Sequence, residues 1–370
     1  MFIDTFIKVV TKQFNEVLPF VVYAKPKSTS FSGLLQEDDL IHTVSNFKEM
    51  GFVFAPFDNK NKTILIPFNK AEEIQTDIQN FTAPPHSSEL ETINNKSSHI
   101  KLVSNGIKTI STSEIDKIVL SRIETVHLSS LNLRALLQQL FSSDSSAFRY
   151  CWYHPKIGLW LGATPETLCK VEGKRFETMS LAGTQLYPGH LDVYWDTKEQ
   201  EEQQIVTDFI LTQLKPLVKH LQASKTETIQ AGNVVHLRTK IRGVLSQNED
   251  LKSVLECLHP TPAVCGLPKD KAKQFILDQE NYNRTYYTGF LGVLNKEVIK
   301  RPKTSRRNIE LRAFETHIKS TQLFVNLRCM ELQDRKALIY VGGGITKDSI
   351  PDKEWEETLN KTNIMKNVLK

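Results

Sequence analysis

The chain has 370 residues, of which 40% are hydrophobic and 24% charged, a composition typical of a globular protein and unlike that of a disordered chain. Its net charge of +5 is too small to indicate nucleic-acid binding by itself. There is no signal-peptide pattern at the start, and no apolar run approaches the roughly 18 residues of a membrane span. The five cysteines have neither CxxC nor zinc spacing, which predicts free thiols in a reducing cytoplasm.

Residues 1–112 are predicted to form an N-terminal α/β region. A strand is predicted at 20–24, and apolar runs at 51–57 and 63–68 flank a polar segment, as in a β-hairpin. From residue 75 to residue 113 the chain becomes polar, with paired prolines, serines and asparagines. This composition is typical of a flexible connector.

Residues 113–370 are predicted to form a second region, integrated with the first into one domain. Apolar runs predict strands at 117–122, 148–153, 159–162, 234–241, 286–294, 323–330 and 337–341. Helices are predicted at 131–141, 192–221 and 271–278. Because strands and helices alternate without βαβ regularity, we expect an α/β fold of large, mixed, mostly antiparallel sheets flanked by helices.

The stretch from 337 to 361 carries the clearest local pattern. The last predicted strand runs into three glycines, 342–344, which predict a tight turn that brings backbone N–H groups close to a ligand anion. Pro351 then opens a predicted helix on which Glu354, Glu357 and Lys361 share one face. Such a face could hold a divalent metal and a carboxylate ligand together. An ordinary turn before a solvated helix is the alternative.

Eight segments of the second region, in this order, resemble the chorismate-utilising enzymes, a family of isochorismate, anthranilate, aminodeoxychorismate and salicylate synthases. The segments are KIVLSR, GATPE, LAGT, VVHL, HPTPA, ENYNRTYYTGFLG, VNLRC and GGGI…EWEETLNK. The resemblance covers roughly residues 113–369 and implies that 113–370 is the chorismate-binding catalytic region. Lys117 matches a lysine of the isochorismate and salicylate synthases, whereas Ala182 stands where aminodeoxychorismate synthases carry a lysine. The isochorismate synthase branch is therefore the expected one.

The resemblance implies roles for two residues in the chemistry. Chorismate must lose its C4 hydroxyl while water adds at C2. Lys117 is the implied general base for the water, and Glu166 is the implied general acid for the departing hydroxyl, on opposite sides of the ring. The base must be populated in its neutral form and the acid in its protonated form. A solvated strand lysine and a helix-starting glutamate are the alternatives.

Glu202 and Glu357 match the magnesium carboxylates of the family. Magnesium prefers a few carboxylate oxygens together with ligand oxygens and waters. Gln203 stands where the resemblance predicts a histidine, and Glu199, one turn earlier, is the alternative to Glu202. Glu354 is expected to support the metal ligands.

A further set of residues is implied to bind the substrate. This set consists of Ala182, Gly183, Thr184, His236, Tyr287, Arg328, Gly343, Gly344 and Lys361. Arg328 lies in a predicted strand and is expected to grip a carboxylate with its guanidinium. His236 would pack near the enolpyruvyl group, with a satisfied core histidine as the alternative. Glu280 and Arg284 are interpreted as a structural ion pair.

The expected function is that of a magnesium-dependent isochorismate synthase serving menaquinone or siderophore biosynthesis. The alternatives are a salicylate synthase, which also eliminates pyruvate, and a non-catalytic relative that binds chorismate-like ligands. We expect a cytoplasmic monomer without nucleic-acid or membrane partners. The basic segment 296–312 is interpreted as a solvated loop, with a contact to an acidic partner or nucleic acid as the alternative.

Overall fold

The computed structural model of the chain describes residues 1–77, 91–93, 95–246, 250–300 and 316–370. Its helices are α1 (Ile3–Asn15), α2 (Lys96–Thr112), α3 (Leu133–Ser142), α4 (Thr197–Leu214), α5 (Leu251–Leu258), α6 (Lys269–Gln279) and α7 (Pro351–Leu369). Its strands are β1 (Phe20–Ala24), β2 (Ser30–Gln36), β3 (His42–Thr43), β4 (Gly51–Ala55), β5 (Ile64–Pro67), β6 (Ala71–Asp77), β7 (Glu91–Thr92), β8 (Lys117–His127), β9 (Phe148–His154), β10 (Gly158–Thr164), β11 (Thr167–Glu172), β12 (Arg175–Leu186), β13 (Val218–Ala223), β14 (Glu227–Ala231), β15 (Val234–Leu245), β16 (Gly266–Leu267), β17 (Phe290–Lys300), β18 (Thr316–Val325), β19 (Cys329–Gln333) and β20 (Lys336–Ile345). Among the described helices, none combines the length and the apolar character that a bilayer span needs.

The strands form two large sheets of antiparallel neighbours. The first sheet has the order β16-β8-β20-β19-β10-β9-β1-β2-β6, with β7 also paired to β8. The second has the order β13-β15-β12-β11-β18-β17-β4-β5-β3, with β14 also paired to β15. The predicted fold class is confirmed. Strands from residues 1–112 enter both sheets, and the predicted boundary at residue 112 stays a prediction.

The two sheets pack face to face through an aromatic core. Phe148 of the first sheet stacks on Phe324 of the second with ring centroids 4.1 Å apart, and Trp152 lies 4.6 Å from Phe54. Helices α1, α3 and α7 cover the outer face of the first sheet, and α4 and α5 cover that of the second. Because both faces are covered, β1 and β4 are buried along their whole length and read as continuous apolar runs.

The helix α2 lies in the segment that was interpreted as a flexible connector, so that prediction is wrong for residues 96–112. The helix buries His99, Val103, Gly106 and Ile110, whose spacing places them on one face. The connector prediction rested on paired polar residues and prolines, most of which precede this helix, and it overlooked the apolar spacing inside it. Residues 78–90 and 94 of the same segment lie outside the described residues.

Other predicted elements also have different bounds in the structure. The helix predicted at 192–221 is limited to α4, and the strand β13 follows it. The strand predicted at 286–294 begins four residues later, at Phe290, and continues to Lys300 as β17. The loop prediction for the basic segment is therefore wrong for 296–300, where Lys296 forms an ion pair with Glu73. Residues 301–312 of that segment lie outside the described part of the chain.

Candidate active site

A cavity opens where β8, β12, β15 and β20 meet helices α4 and α7. It takes in about 730 Å³ of space between the atoms, part of it open to solvent. Every predicted site residue except Lys117 lines it: Glu166, Ala182, Gly183, Thr184, Glu202, His236, Tyr287, Arg328, Gly343, Gly344, Glu357 and Lys361. Lys117 is buried behind Glu202. Glu166 and Lys361, which are 195 positions apart in sequence, are thus brought to one cavity.

The three glycines lie inside β20 and not in a turn, so that part of the prediction is wrong. Gly342, Gly343 and Gly344 pair with β8, and the strand continues through Ile345. Their lack of a side chain leaves room for the neighbouring acidic groups. A β-carbon at Gly344 would come within 2.5 Å of Oε1 of Glu202, and one at Gly343 within 3.3 Å of Oε1 of Glu357. The glycines therefore allow two helices to bring carboxylates onto one strand.

Two of the cavity's carboxylates each have a lysine partner. Nζ of Lys117, which is 0% exposed, donates to Oε1 of Glu202 at 2.7 Å. Nζ of Lys361 donates to Oε1 of Glu357 at 2.6 Å and to the carbonyl of Gly342 at 3.1 Å. The neighbouring lysines hold the pKa of Glu202 below its ordinary value, against the effect of burial. Glu202 is thus a carboxylate at neutral pH.

A third pair links the helices α4 and α7. Nζ of Lys198 donates to Oε1 of Glu354 at 2.8 Å. Burial raises the pKa of Glu354, and the charge of Glu357 raises it further. Lys198 is absent from the predicted site, although its position four residues before Glu202 on α4 places both on one helix face. That spacing is the signal by which the sequence could have revealed it.

These residues fit a magnesium ion in donor chemistry. Glu202 and Glu357 offer hard oxygen donors, and the repulsion that Glu354 and Glu357 exert on each other favours a cation between them. Within the described ranges, no group of three or more histidine, cysteine or acidic side chains is arranged to hold a metal by itself. A magnesium ion held by Glu202 and Glu357 would therefore complete its shell with water and ligand oxygens, as magnesium commonly does.

Glu166 lies in the bend between β10 and β11 and does not begin a helix. The carbonyl of Glu166 accepts from the N–H of Val325 at 3.0 Å, and the N–H of Glu166 donates to the hydroxyl of Thr164 at 3.4 Å. Burial raises the pKa of Glu166 to about 8, although Lys117 and Arg328 act in the opposite direction. The carboxyl group is therefore mostly protonated at neutral pH.

Arg328 lies in a bend between two strands and not inside one. The apolar run 323–330 divides into β18 of the second sheet and β19 of the first, and Arg328 sits at the crossing with a φ of +47°. Its guanidinium donates to the carbonyl of Ala231 at 3.1 Å and to Nε2 of His236. The left-handed conformation is unfavourable for a residue with a side chain, and the contacts of the guanidinium hold it there.

His236 is neutral and has a defined tautomer. Its Nδ1–H donates to the carbonyl of Gly183 at 2.8 Å, which leaves Nε2 to accept from Arg328. Burial, followed by the charges of Arg328 and Lys361, lowers the pKa of His236 well below its ordinary value. The imidazole therefore holds the guanidinium in place without adding charge to the cavity.

The predicted ion pair of Glu280 and Arg284 is confirmed, and it is buried. Arg284 binds both carboxylate oxygens, at 2.8 and 2.6 Å, and also donates to the carbonyl of Val119 at 2.7 Å. Glu280 in turn accepts from the N–H and the hydroxyl of Ser121 at 2.7 and 2.8 Å. The pair thus supports β8 close to Lys117 from outside the cavity.

Comparison with known proteins agrees with this geometry. Residues 43–298 match a family model described as chorismate binding enzyme, and residues 314–367 match a second model with the same description. The chain belongs to the chorismate-binding enzyme family. It is 28% identical over 275 residues to the isochorismate synthase MenF of Escherichia coli, an alignment that covers 72% of this chain and 58% of that protein. It is 26% identical over 331 residues to the isochorismate synthase EntC of Escherichia coli, which covers 85% of this chain and 79% of that protein.

A solved structure supports the fold assignment. The structure of MenF from Escherichia coli, described as a menaquinone-specific isochorismate synthase, matches with a TM-score of 0.74 at 22% identity, over 95% of this chain and 89% of that one. At this identity the likeness shows the fold alone. The chain thus spans about three fifths of MenF by sequence and nearly all of its solved chain by structure.

Proposed function

We propose that this protein is an isochorismate synthase, an isomerase that converts chorismate to isochorismate with magnesium. One observation carries the proposal: the buried carboxyl group of Glu166, whose pKa is raised by burial, shares a cavity with a carboxylate, Glu202, that holds a buried lysine, Lys117. An acid and a base at separate positions around one ligand are what the isomerisation requires. Membership of the chorismate-binding family makes chorismate the expected ligand.

In the proposed reaction, one water enters and one water leaves. The oxygen of a water molecule forms a bond to C2 while Lys117 takes its proton. The ring double bonds shift, the C4–O bond breaks, and Glu166 gives its proton to the departing hydroxyl. Glu166 suits this role because its pKa of about 8 keeps the proton in place at neutral pH.

The role proposed for Lys117 places a requirement on the working complex. An ammonium group is the natural partner of a carboxylate 2.7 Å away, whereas a base must be neutral. The charge of Glu202 must therefore be shared with another cation when chorismate is bound. Magnesium held by Glu202 and Glu357 would supply that charge and would neutralise the ring carboxylate of chorismate.

The remaining lining residues suit a ligand with two carboxylates. Arg328 and Lys361 are the proposed partners of the second carboxylate, together with the backbone near Gly343 and Gly344. His236 is proposed to hold Arg328 beside the enolpyruvyl group. The residues proposed to line the ring and the wall of the site are Ala182, Gly183, Thr184 and Tyr287.

The experiment is product analysis with purified protein, chorismate and magnesium. We expect isochorismate to accumulate, and we expect a chelator to abolish its formation. Pyruvate is measured in the same samples with a coupled dehydrogenase. Release of pyruvate in step with chorismate loss would identify a salicylate synthase instead. Binding of chorismate without turnover would identify a non-catalytic relative.

Isochorismate made by this protein would feed menaquinone or siderophore biosynthesis. We further propose that the protein is a cytoplasmic monomer. All five cysteines are free in the structure and four of them are buried, which is compatible with a reducing compartment. Light scattering of the purified protein would test the monomer, and a dimer mass would contradict it.

A further inference from the structure

The first two turns of α4 have little apolar anchorage. None of the residues from Thr197 to Glu202 is apolar, and the buried apolar residues of the helix begin at Val206. Burial of an apolar side chain is what normally fixes the rotation of a helix against a sheet. The Lys198–Glu354 pair ties this end of α4 to α7, but the contact between the sheet and the end that carries Glu202 needs another anchor.

Gln203 provides that anchor through hydrogen bonds. Its side chain is 3% exposed, and its Nε2 lies 2.8 Å from the hydroxyl of Thr239 and 3.0 Å from those of Ser180 and Thr207. Ser180 belongs to β12 and Thr239 to β15, so two neighbouring strands are tied to the helix. The Ser180 and Thr207 hydroxyls are also 2.7 Å apart. Because an amide has two N–H hydrogens for three hydroxyls, the groups orient one another as a network.

We propose that Gln203 is a positioning residue for Glu202, an inference that rests on the proposed function. Successive residues of a helix point about 100° apart, as 3.6 residues per turn requires. With Gln203 held against the sheet, the rotation of α4 is set so that Glu202 reaches Lys117 and the site of Gly344. Gln203 acts on magnesium only through Glu202.

The chain offers a matched control at the next position. Gln204 is exposed and its amide bonds only to Asp208 among the contacts described, at 2.7 Å. Gln203→Met and Gln204→Met make the same chemical change on the buried and the exposed side of one helix. Magnesium affinity is measured by calorimetry on the protein without chorismate, and thermal unfolding is recorded for each variant.

We expect Gln203→Met to bind magnesium about 10- to 100-fold more weakly, the usual effect of losing a group that orients a metal ligand. Gln204→Met should bind it like the wild type. Gln203→His keeps an N–H donor and should retain most of the affinity. Thr239→Val removes only one of the three hydroxyls, so it should fold even if Gln203→Met does not, and it should weaken binding by a smaller factor.

Several results would overturn the assignment. If Gln203→Met folds and binds magnesium as tightly as the wild type, the assignment is wrong, whether or not the melting temperature falls. If Gln203→Met does not fold, the same result in Thr239→Val would overturn it. An equal loss in Gln204→Met would trace the effect to the helix as a whole. If the wild type binds magnesium and makes isochorismate, and the variants bind magnesium equally well, only the role of Gln203 is rejected. A wild type that does neither rejects the proposed function and the positioning role together.

Discussion

Replacement of Lys117 separates two roles that the structure allows for this residue. Its ammonium lies 2.7 Å from Glu202, so it acts as a counter-ion to a proposed metal ligand. It is also the proposed base. Lys117→Ala removes both roles. Lys117→Arg keeps a cation near Glu202 but cannot give up a proton, because a guanidinium stays protonated in proteins.

The two roles predict losses in different quantities. Removal of a positioned base lowers the rate by roughly 10²- to 10⁴-fold, mainly in kcat, because the lysine acts on water. Removal of a counter-ion leaves Glu202, whose side chain is 14% exposed, as an unpaired carboxylate. Breaking a buried pair in this way costs about 3–5 kcal/mol in the free energy of unfolding. Saturating magnesium would restore a cation to Glu202 and recover part of that stability, but it would not restore the rate.

The assay measures kcat for isochorismate formation at saturating magnesium, and urea unfolding with and without the metal. If Lys117 is the base, Lys117→Ala and Lys117→Arg lose rate to a similar extent, while Lys117→Arg loses less stability. A Lys117→Ala protein that turns over close to the wild-type rate would refute the reasoning. It would also remove the main support for the isochorismate synthase branch.

Three further predictions follow from other parts of the site. Because the proton of Glu166 is lost as the pH rises through its pKa of about 8, kcat/KM should fall on an alkaline limb near that pH, and Glu166→Gln should lack the limb; a flat wild-type profile would contradict the acid role. Gly344→Ala places a β-carbon within 2.5 Å of Oε1 of Glu202, so calorimetry should show magnesium affinity reduced about 10- to 100-fold. An unchanged affinity would show that Glu202 is not a ligand of the metal. Arg284→Met leaves the buried Glu280 unpaired and should lower the free energy of unfolding by about 3–5 kcal/mol in urea titrations, whereas a loss below about 1 kcal/mol would make the pair no better than a surface one.

The sequence predicts the sheets well because their strands are covered on both faces and read as apolar runs. The strand prediction is less accurate where a bend divides one apolar run into two strands. The strand predicted at 323–330 spans two strands in different sheets, and the positive φ of Arg328 at the crossing follows from contacts with Ala231 and His236 that are distant in sequence. Local propensity contains no information about those contacts.

The sequence motifs predict which residues line the cavity, but they do not predict which of these residues form ion pairs with one another. Lys117 and Glu202 are 85 positions apart, and only the packing of α4 beside β8 and β20 brings them together. The glycines at 342–344 illustrate the same limit. Glycine suggests a turn from sequence because it tolerates positive φ, whereas here it serves close approach inside a strand, as the space taken by Glu202 and Glu357 demonstrates.

If magnesium and a ligand with two carboxylates bind as proposed, the charges of the cavity would make each favour the binding of the other. The three glutamate–lysine pairs cancel in charge, Glu166 and His236 are neutral at pH 7, and Arg328 remains as the net cation. A ligand with two carboxylates would leave this set negative, and a divalent cation alone would leave it strongly positive. Bound together, with Lys117 neutral as its proposed role requires, they would leave this set without net charge. A cation shared between Glu202 and Glu357 would also release Lys361 from its carboxylate, which makes its ammonium available to the ligand. Such a coupling would be reciprocal, because linkage requires each partner to raise the affinity of the other by the same factor.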